Sequence, residues 1–406
     1  MSVFAEHRHE PDAPADPHAA LGALRDSGQV PQVDAGLGLP AWLFTRYDDV
    51  LAGLSDPRLS NDPRNARGLP PELLRRDFLS RSMIGADAPE HTRLRRLVSR
   101  AFTARRVESL RPRVQDITDE LLDRITPRGR ADLIADFALP LPITVIGELL
   151  GVPAADRDAF RRWTDEILDR PFEERRSAPL VEAARQRMHG YLTDLLARKR
   201  AAPADDLLSA LVAETDEGER LDDEELLAMT FLLLIAGYVT TVNLIGNGTF
   251  ALLRAPDHLD RLRADPSLVP GAVEEFLRFE GPVNPGVTRF ATEDMELGGV
   301  RIARGDIVLL ALAAADRDPA RFPDPDRLDV GSAPVGHVAF GHGAHYCLGA
   351  PLARLEAQVA FPALLARLPD LAFGAPPEQL QWTEGGGILR GLRALPITFT
   401  PTAPLR

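Results

Sequence analysis

Residues Phe340 to Gly349 read FGHGAHYCLG, and Cys347 within them is the only cysteine in a chain of 406 residues. A lone cysteine forms no internal disulfide, so its sulfur serves as a small buried hydrophobe, a nucleophile or a metal ligand. The glycines at 341, 343 and 349 bring backbone close to something bulky, because glycine has no side chain to collide and tolerates unusual dihedrals. Downstream, Leu348, Leu352, Leu355 and Val359 form a helical stripe, with Pro351 in the first turn, where proline is tolerated. Cys347 is therefore expected at or just before a helix N-terminus, where free N–H groups and the dipole favour a thiolate. Three other uses stand beside that one: a packed cysteine in a glycine-rich turn, a redox thiol, and a zinc site drawn from His337, His342, His345 and Cys347. Structural zinc sites usually take paired ligands from separate segments, and a redox thiol here lacks a resolving partner.

With 45% hydrophobic and 26% charged residues the chain reads as globular, with material for a large core. A net charge of −13 argues against a nucleic-acid partner or an anionic membrane surface. The N-terminus, MSVFAEHRHEPDAPADPH, is polar and proline-dotted, and no basic segment in it precedes an apolar one. Neither a signal peptide nor a membrane anchor is expected, and a cytoplasmic location follows.

Residues 1–20 read as a mobile arm and residues 21–406 as one mainly helical domain with a smaller β portion. Short β-like or turn segments, including PAWLFTRYDDV, precede a Pro/Gly/Arg-rich irregular loop from Asp56 to Pro71. Helical spacing runs from about His91 to Arg200. The longest helix is expected from Asp222 to about Arg254; it opens on DDEE, which suits the positive end of the dipole, and is apolar on nearly every side. Its strongly apolar part, Leu226 to Val239, is shorter than the roughly 20 residues a bilayer requires, so it reads as a core helix. Beyond Pro282 come strand-like pieces (VTRF, MELGG, VRIARGDIVLLAL), a proline-rich loop, a further helix and a strand-rich tail ending LPITFTP.

At Phe340, Gly343, His345, Cys347 and Gly349 the segment resembles the haem-binding signature of the cytochrome P-450 family, the haem-thiolate monooxygenases. The resemblance extends over almost the whole chain. It implies the cytochrome P-450 fold, with haem b between the long central helix and the helix after the cysteine, and Cys347 as the proximal ligand of iron. Gly341, Gly343 and Gly349 would let the loop lie against the macrocycle, and Phe340 would shield the sulfur. The family's Glu-x-x-Arg signature falls on Glu275 and Arg278, although Glu274 lies four residues from Arg278 and spacing alone does not choose between them. The usual third member matches Arg327 in FPDPDRLDV, a triad that fixes the loop leading to the cysteine. Four positions match the family's partners for the haem propionates: His91 and Arg95 in PEHTRLRRLV, Arg289 in GVTRF, and His345. In AGYVTT, Ala236 and Gly237 would leave space beside the iron. Thr240 would bond back to the Ala236 carbonyl and organise water and protons for dioxygen. One position departs from the pattern, because Val239 stands where most members carry Asp or Glu.

The resemblance further implies a soluble, monomeric bacterial enzyme that hydroxylates or epoxidises a bulky apolar molecule, such as a polyketide, with O2. Electrons would come from NAD(P)H through ferredoxin reductase and a ferredoxin. By position the substrate pocket is expected from Met83 and Ile84, Ala236, Val239 and Thr240, Pro285 to Val287 (through Gly286), and Ile388 with Leu389. Val239 leaves open oxidative coupling or peroxide-driven oxidation on the same scaffold, with Asn243 as an alternative proton relay. A non-catalytic haem or carrier-protein binding module is the reading from another class. Residues His91 to Arg113 hold eight arginines against one acid, Glu108, and mark the expected ferredoxin surface.

Overall fold

The computed structural model describes residues 17–35, 38–69, 81–168, 179–213, 220–332, 335–383 and 388–405. Its organising element begins at Asp222, whose carboxylate accepts the Glu225 N–H at 2.7 Å while the Glu225 side chain accepts the Asp222 N–H at 2.9 Å. This capping box satisfies two otherwise unpaired donors and opens the central helix, Asp223–Leu253. An all-round apolar helix has no solvent face to present. Four helices accordingly pack around it: Pro140–Leu150, Pro179–Ala201, Val269–Phe279 and Ala350–Arg367. Among the described residues it is the one helix long and apolar enough to cross a membrane, and most of that length is buried inside the protein.

The main sheet joins strands from residues 32–60 to strands from residues 287–310. Its spatial order is Gln32–Asp34, Pro40–Phe44, Ile307–Leu310, Val287–Ala291, Leu59–Ser60. Pro40–Phe44 runs parallel to Ile307–Leu310 with Ala41 opposite Ile307, and the remaining pairings are antiparallel. A second sheet pairs Arg130–Asp132 with Pro396–Thr398 in the tail. That strand interrupts the helical run expected from 91 to 200.

Several expected boundaries move. Pro17–Asp26 is a helix, so the last four residues of the expected arm belong to it, and residues 1–16 lie outside the described residues. Only PAWLF of PAWLFTRYDDV is a strand; Tyr47–Ser55 is helical, with Asp48 and Asp49 in its first turn and Val50 and Leu54 facing the core. The loop from Asp56 contributes the short strand Leu59–Ser60, while 70–71 lie outside the described residues.

Two consecutive glutamates on the helix Val269–Phe279 hold the long segment that leads to Cys347. Glu275 accepts from Arg278 Nε at 2.7 Å and Nη2 at 2.8 Å, both side chains being buried, and its Oε1 also accepts the Asp329 N–H at 2.9 Å. Arg278 spends its remaining donors on the backbone carbonyls of Asp316, Pro325 and Arg327 at 3.0, 2.8 and 3.3 Å. The expected triad is thus corrected in its third member: Arg327 is exposed and meets Arg278 through its carbonyl, not its guanidinium. The reason is geometric, since one buried carboxylate already has a bidentate arginine and a backbone N–H, and a second buried cation would lack an anion. Glu274 serves a different task, accepting from Arg354 Nε and Nη2 at 2.7 and 2.8 Å and lying 2.9 Å from His337 Nε2. Removing one partner of a buried pair costs about 3–5 kcal/mol. Glu275→Ala is therefore expected to destabilise by about that amount, whereas Arg327→Ala stays within about 0.5 kcal/mol of wild type. Urea unfolding of the two variants checks this, and equal losses would mean that the Arg327 side chain bears the load.

Candidate active site

The cysteine loop is shaped by two glycines in the left-handed region, Gly341 at φ 71° and Gly343 at φ 69°. At Gly343 a Cβ would also stand 3.0 Å from the Leu54 carbonyl oxygen, so both conformation and space require glycine. The loop closes on itself where the Cys347 N–H donates to the Phe340 carbonyl at 2.9 Å. Gly349 caps the helix Ala350–Arg367, with Pro351 in its first turn. Cys347 opens onto a cavity of about 460 Å³.

The electrostatics of the sulfur correct one expectation. Burial pushes the Cys347 thiol up, and the N–H groups of Gly349 and Ala350, with Arg95 and Arg354 behind them, only oppose that push. The helix terminus does not by itself make a thiolate here. A metal would, because a coordinating thiol is deprotonated outright.

Around the loop, His91, Arg95, Arg289 and His345 converge on the same cavity. The His91 and His345 rings lie 4.0 Å apart between centroids, and His91 Nε2 is buried without a partner. Burial, then the charges of His91, Arg289 and Arg95, pushes His345 down to about 3; burial, then Arg95, lowers His91. Arg289, 7% exposed, is lowered to about 10 by burial with only Asp87 opposing, and its Nη1 donates to the carbonyl of its neighbour Thr288 at 2.8 Å. Arg95 donates to the Tyr346 carbonyl at 2.7 Å. Buried cations and an orphaned imidazole without a facing carboxylate are costly. This donor set fits the two carboxylates of a haem and matches the expected cofactor positions. The zinc alternative does not fit: His337 is engaged by Glu274, and among the described residues no group of three or more His, Cys, Asp or Glu is arranged for a metal.

Across the cavity from the sulfur runs the central helix. Thr240 Oγ1 donates to the Ala236 carbonyl at 3.1 Å, and both residues line the cavity. Gly237 lines it too, but a Cβ there would meet Ile146 at 2.8 Å, so its smallness also serves packing against Pro140–Leu150. Met83, Ile84, Val287 and Ile388 form further wall. Four expected wall residues do not. Val239 does not line the cavity and packs, half-buried, against the core. Asn243 abuts Gly391. Pro285 accepts the Ala313 N–H at 3.1 Å and Gly286 is pressed against the Leu310 carbonyl, so this pair packs on the sheet. Leu389 follows the alternation of extended chain, bridging to Val283 while Ile388 faces inward. Of the cysteine-loop residues, Phe340, Gly341, His345 and Gly349 line the cavity, whereas Gly343 packs against Leu54 and Ser55. Sequence reading missed Leu233 and Leu244, which helical spacing from Ala236 and Thr240 marks, and Val283 and Asn61, which only non-local pairing brings in.

The arginine run is less free than its sequence implies. Arg106 pairs with Asp205 at 3.3 Å, Arg111 with Glu108 at 2.5 Å, Arg113 with Glu148 at 2.9 Å, and Arg93 with Glu225. Arg105 is exposed.

The fold and this site define a haem-thiolate oxygenase, and comparison with known proteins agrees. The family model for cytochrome P450 matches residues 167–369. The chain is 51% identical over 393 residues to cytochrome P450 monooxygenase PikC of Streptomyces venezuelae, covering 96% of this chain and 92% of that one. It is 48% identical over 391 residues to the vitamin D(3) 25-hydroxylase of Pseudonocardia autotrophica, covering 95% and 94%. The solved structure of PksS, a cytochrome P450 of the Bacillus subtilis 168 bacillaene polyketide synthase, superposes with a TM-score of 0.89 at 40% identity, covering 95% and 97%. The chain belongs to the cytochrome P450 family; it is a monooxygenase, and its cofactor is haem b.

The proximal scaffold carries a pH signature. Burial raises the Glu274 carboxyl, but the hydrogen bonds from Arg354 and His337 outweigh it and hold the group at about 2, against an ordinary 4.5. A carboxylate depressed on folding stabilises fully above its unfolded value and loses that contribution as pH falls through its folded one. Urea midpoints measured from about pH 5 down to about pH 2 are expected to fall more steeply for wild type than for Glu274→Gln. Parallel curves would remove Glu274 from the acid limb.

Proposed function

We propose that this chain hydroxylates or epoxidises a bulky, largely apolar small molecule, a polyketide or a product of similar size and polarity, using O2 and two electrons from a ferredoxin. The observation that carries the reading is the cavity of about 460 Å³, walled mainly by apolar side chains, with Cys347 on one side and the Ala236–Thr240 turn on the other. The same cavity holds the haem, so the substrate takes the part walled by Met83, Leu233, Val287 and Ile388. The names of the polyketide-biosynthesis cytochrome P450 PksS and of the vitamin D(3) 25-hydroxylase support oxidation of a polyketide and of a large apolar molecule respectively.

In this reading Cys347 is the proximal iron ligand, while His91, Arg95, Arg289 and His345 receive the propionates. The haem supplies activation of dioxygen, and the electron-rich sulfur favours O–O cleavage. The protein does the rest. Met83, Leu233, Val287 and Ile388 exclude water and orient the substrate by apolar contact. Thr240 Oγ1 donates its hydrogen bond to the Ala236 carbonyl and keeps its lone pairs to accept from the water that delivers protons. Because Val239 carries no acid, water at Thr240 bears the proton traffic in this reading. The enzyme is read as a cytoplasmic monomer.

Two outcomes follow from these roles. Wild-type protein is expected to show the red-shifted Soret band of a carbon monoxide complex with a thiolate, and to move toward high spin when titrated with macrolide aglycones; Cys347→Ala loses the thiolate band. Stoichiometric zinc without haem absorbance ends the reading. We read the ferredoxin surface as the cysteine-side face along 93–113, where Arg93, Arg106, Arg111 and Arg113 are paired internally and the exposed Arg105 is one of the steering charges. Arg105→Glu is expected to slow ferredoxin-supported turnover severalfold at low salt and little at high salt. Unchanged rates at both would place the partner elsewhere.

A further inference from the structure

We infer that Asn61 is a cofactor-binding residue whose side-chain amide donates to the same propionate that Arg289 receives. The inference rests on the haem reading above and adds a partner that the signature motifs do not contain. Sequence gives no hint of it, because Asn61 sits in RLSNDPRN, a loop with ordinary turn residues. Strand pairing places it. Leu59 lies opposite Ala291 and Ser60 opposite Phe290 in antiparallel register, and Asn61 leaves the end of that short strand in the direction of Arg289. Both side chains line the cavity, as does His91.

The polar neighbours of Asn61 are all spent locally. Ser60 Oγ donates to Asp87, Asp62 accepts from the Arg64 N–H at 2.9 Å, and Asn65 Nδ2 donates to Ser60 Oγ at 2.8 Å. The Asn61 backbone N–H is itself fixed on Asp87 Oδ1 at 2.9 Å. Its side-chain oxygen, by contrast, is buried without a partner on the wall that carries the partnerless His91 Nε2. The amide Nδ2 is not enclosed in this way and makes no hydrogen bond, so it is the end of the side chain left for a ligand in the cavity. Among the described lining residues there is no carboxylate for these donors and cations to meet. A group with several acceptor lone pairs and a negative charge satisfies all of them at once, and a propionate is that group.

The test uses purified holoenzyme. Asn61→Leu keeps the shape and removes the donor; Asn61→Ser keeps a shorter donor. Haem transfer to excess apomyoglobin and the midpoint potential in dye-coupled reduction are measured for each, with the carbon monoxide band recorded alongside. A hydrogen bond to a charged group is worth enough that its loss should speed haem release about tenfold or more in the leucine variant. The potential should fall as well, because the propionate charge is less compensated, and the serine variant should lie between leucine and wild type in both. An unchanged thiolate band keeps the haem reading intact whichever way the comparison falls. Haem loss and potential equal to wild type in Asn61→Leu overturn the inference. So does faster loss with no change of potential, or a serine variant no better than leucine, because either marks packing and not donation. A change confined to the substrate spin-state titration overturns it too, assigning the amide to the substrate.

Discussion

Glu274 and Glu275, adjacent on one helix, hold between them everything that delivers the cysteine. Glu275 takes Arg278 and the Asp329 N–H and fixes the loop upstream; Glu274 takes His337 and Arg354, one on each side of Cys347 in sequence. Between these anchors the buried Asp316 accepts the Val338 N–H at 2.7 Å, although burial raises its carboxyl to about 7 against the pull of His337. A loop of glycines and prolines carries little intrinsic order, and its backbone donors must go somewhere once buried. Here the Asp329 N–H goes to Glu275 and the Val338 N–H to Asp316, while the Asp316, Pro325 and Arg327 carbonyls accept from Arg278. The position of the sulfur is therefore set by a helix far from it in sequence, and the glycines only allow the chain to follow.

The cavity is the complementary case, where the protein accepts unfavourable electrostatics. Arg289 and His345 are both pushed away from their charged forms by burial, and His91 Nε2 and Asn61 Oδ1 lack partners. Natural chains violate local rules mainly at functional sites. Such a cluster makes sense as half of an interaction whose other half is an anion with several acceptors. It also explains why the rest of the cavity is so plainly apolar: specificity for a large hydrophobic substrate and attraction for a carboxylated cofactor occupy different walls of one space.

The sequence read most clearly where chemistry is local. The capping box at Asp222 and Glu225, the 31-residue helix that follows, and the back-bond from Thr240 to Ala236 all depend on residues within one turn. The same is true of the glycine turns before Cys347 and the proline after it. Reading failed at points of non-local contact. Arg327 was assigned a side-chain role that its backbone performs, because spacing says nothing about which atom of a loop residue faces inward. Val239 is expected in the pocket from its proximity to Thr240, yet it stays out of the cavity wall and packs half-buried on the core. Pro285, Gly286 and Leu389 were placed there by neighbourhood, and strand alternation and sheet packing send them elsewhere.

By itself, then, the sequence determined the helical architecture, the cysteine's place before a helix, and the resemblance from which the haem chemistry follows, since each is written in patterns spanning a few residues. Tertiary structure alone decided which arginines remain free and which glutamate meets which arginine. It also decided which side chains share a wall: Asn61 and Arg289 are more than half the chain apart in sequence, and both line the cavity beside the paired strands Leu59–Ser60 and Val287–Ala291. The physical reason is the same throughout. Local backbone bonding and periodicity are encoded in short stretches, whereas the pairing of buried charges depends on distances that exist only after the chain has closed on itself.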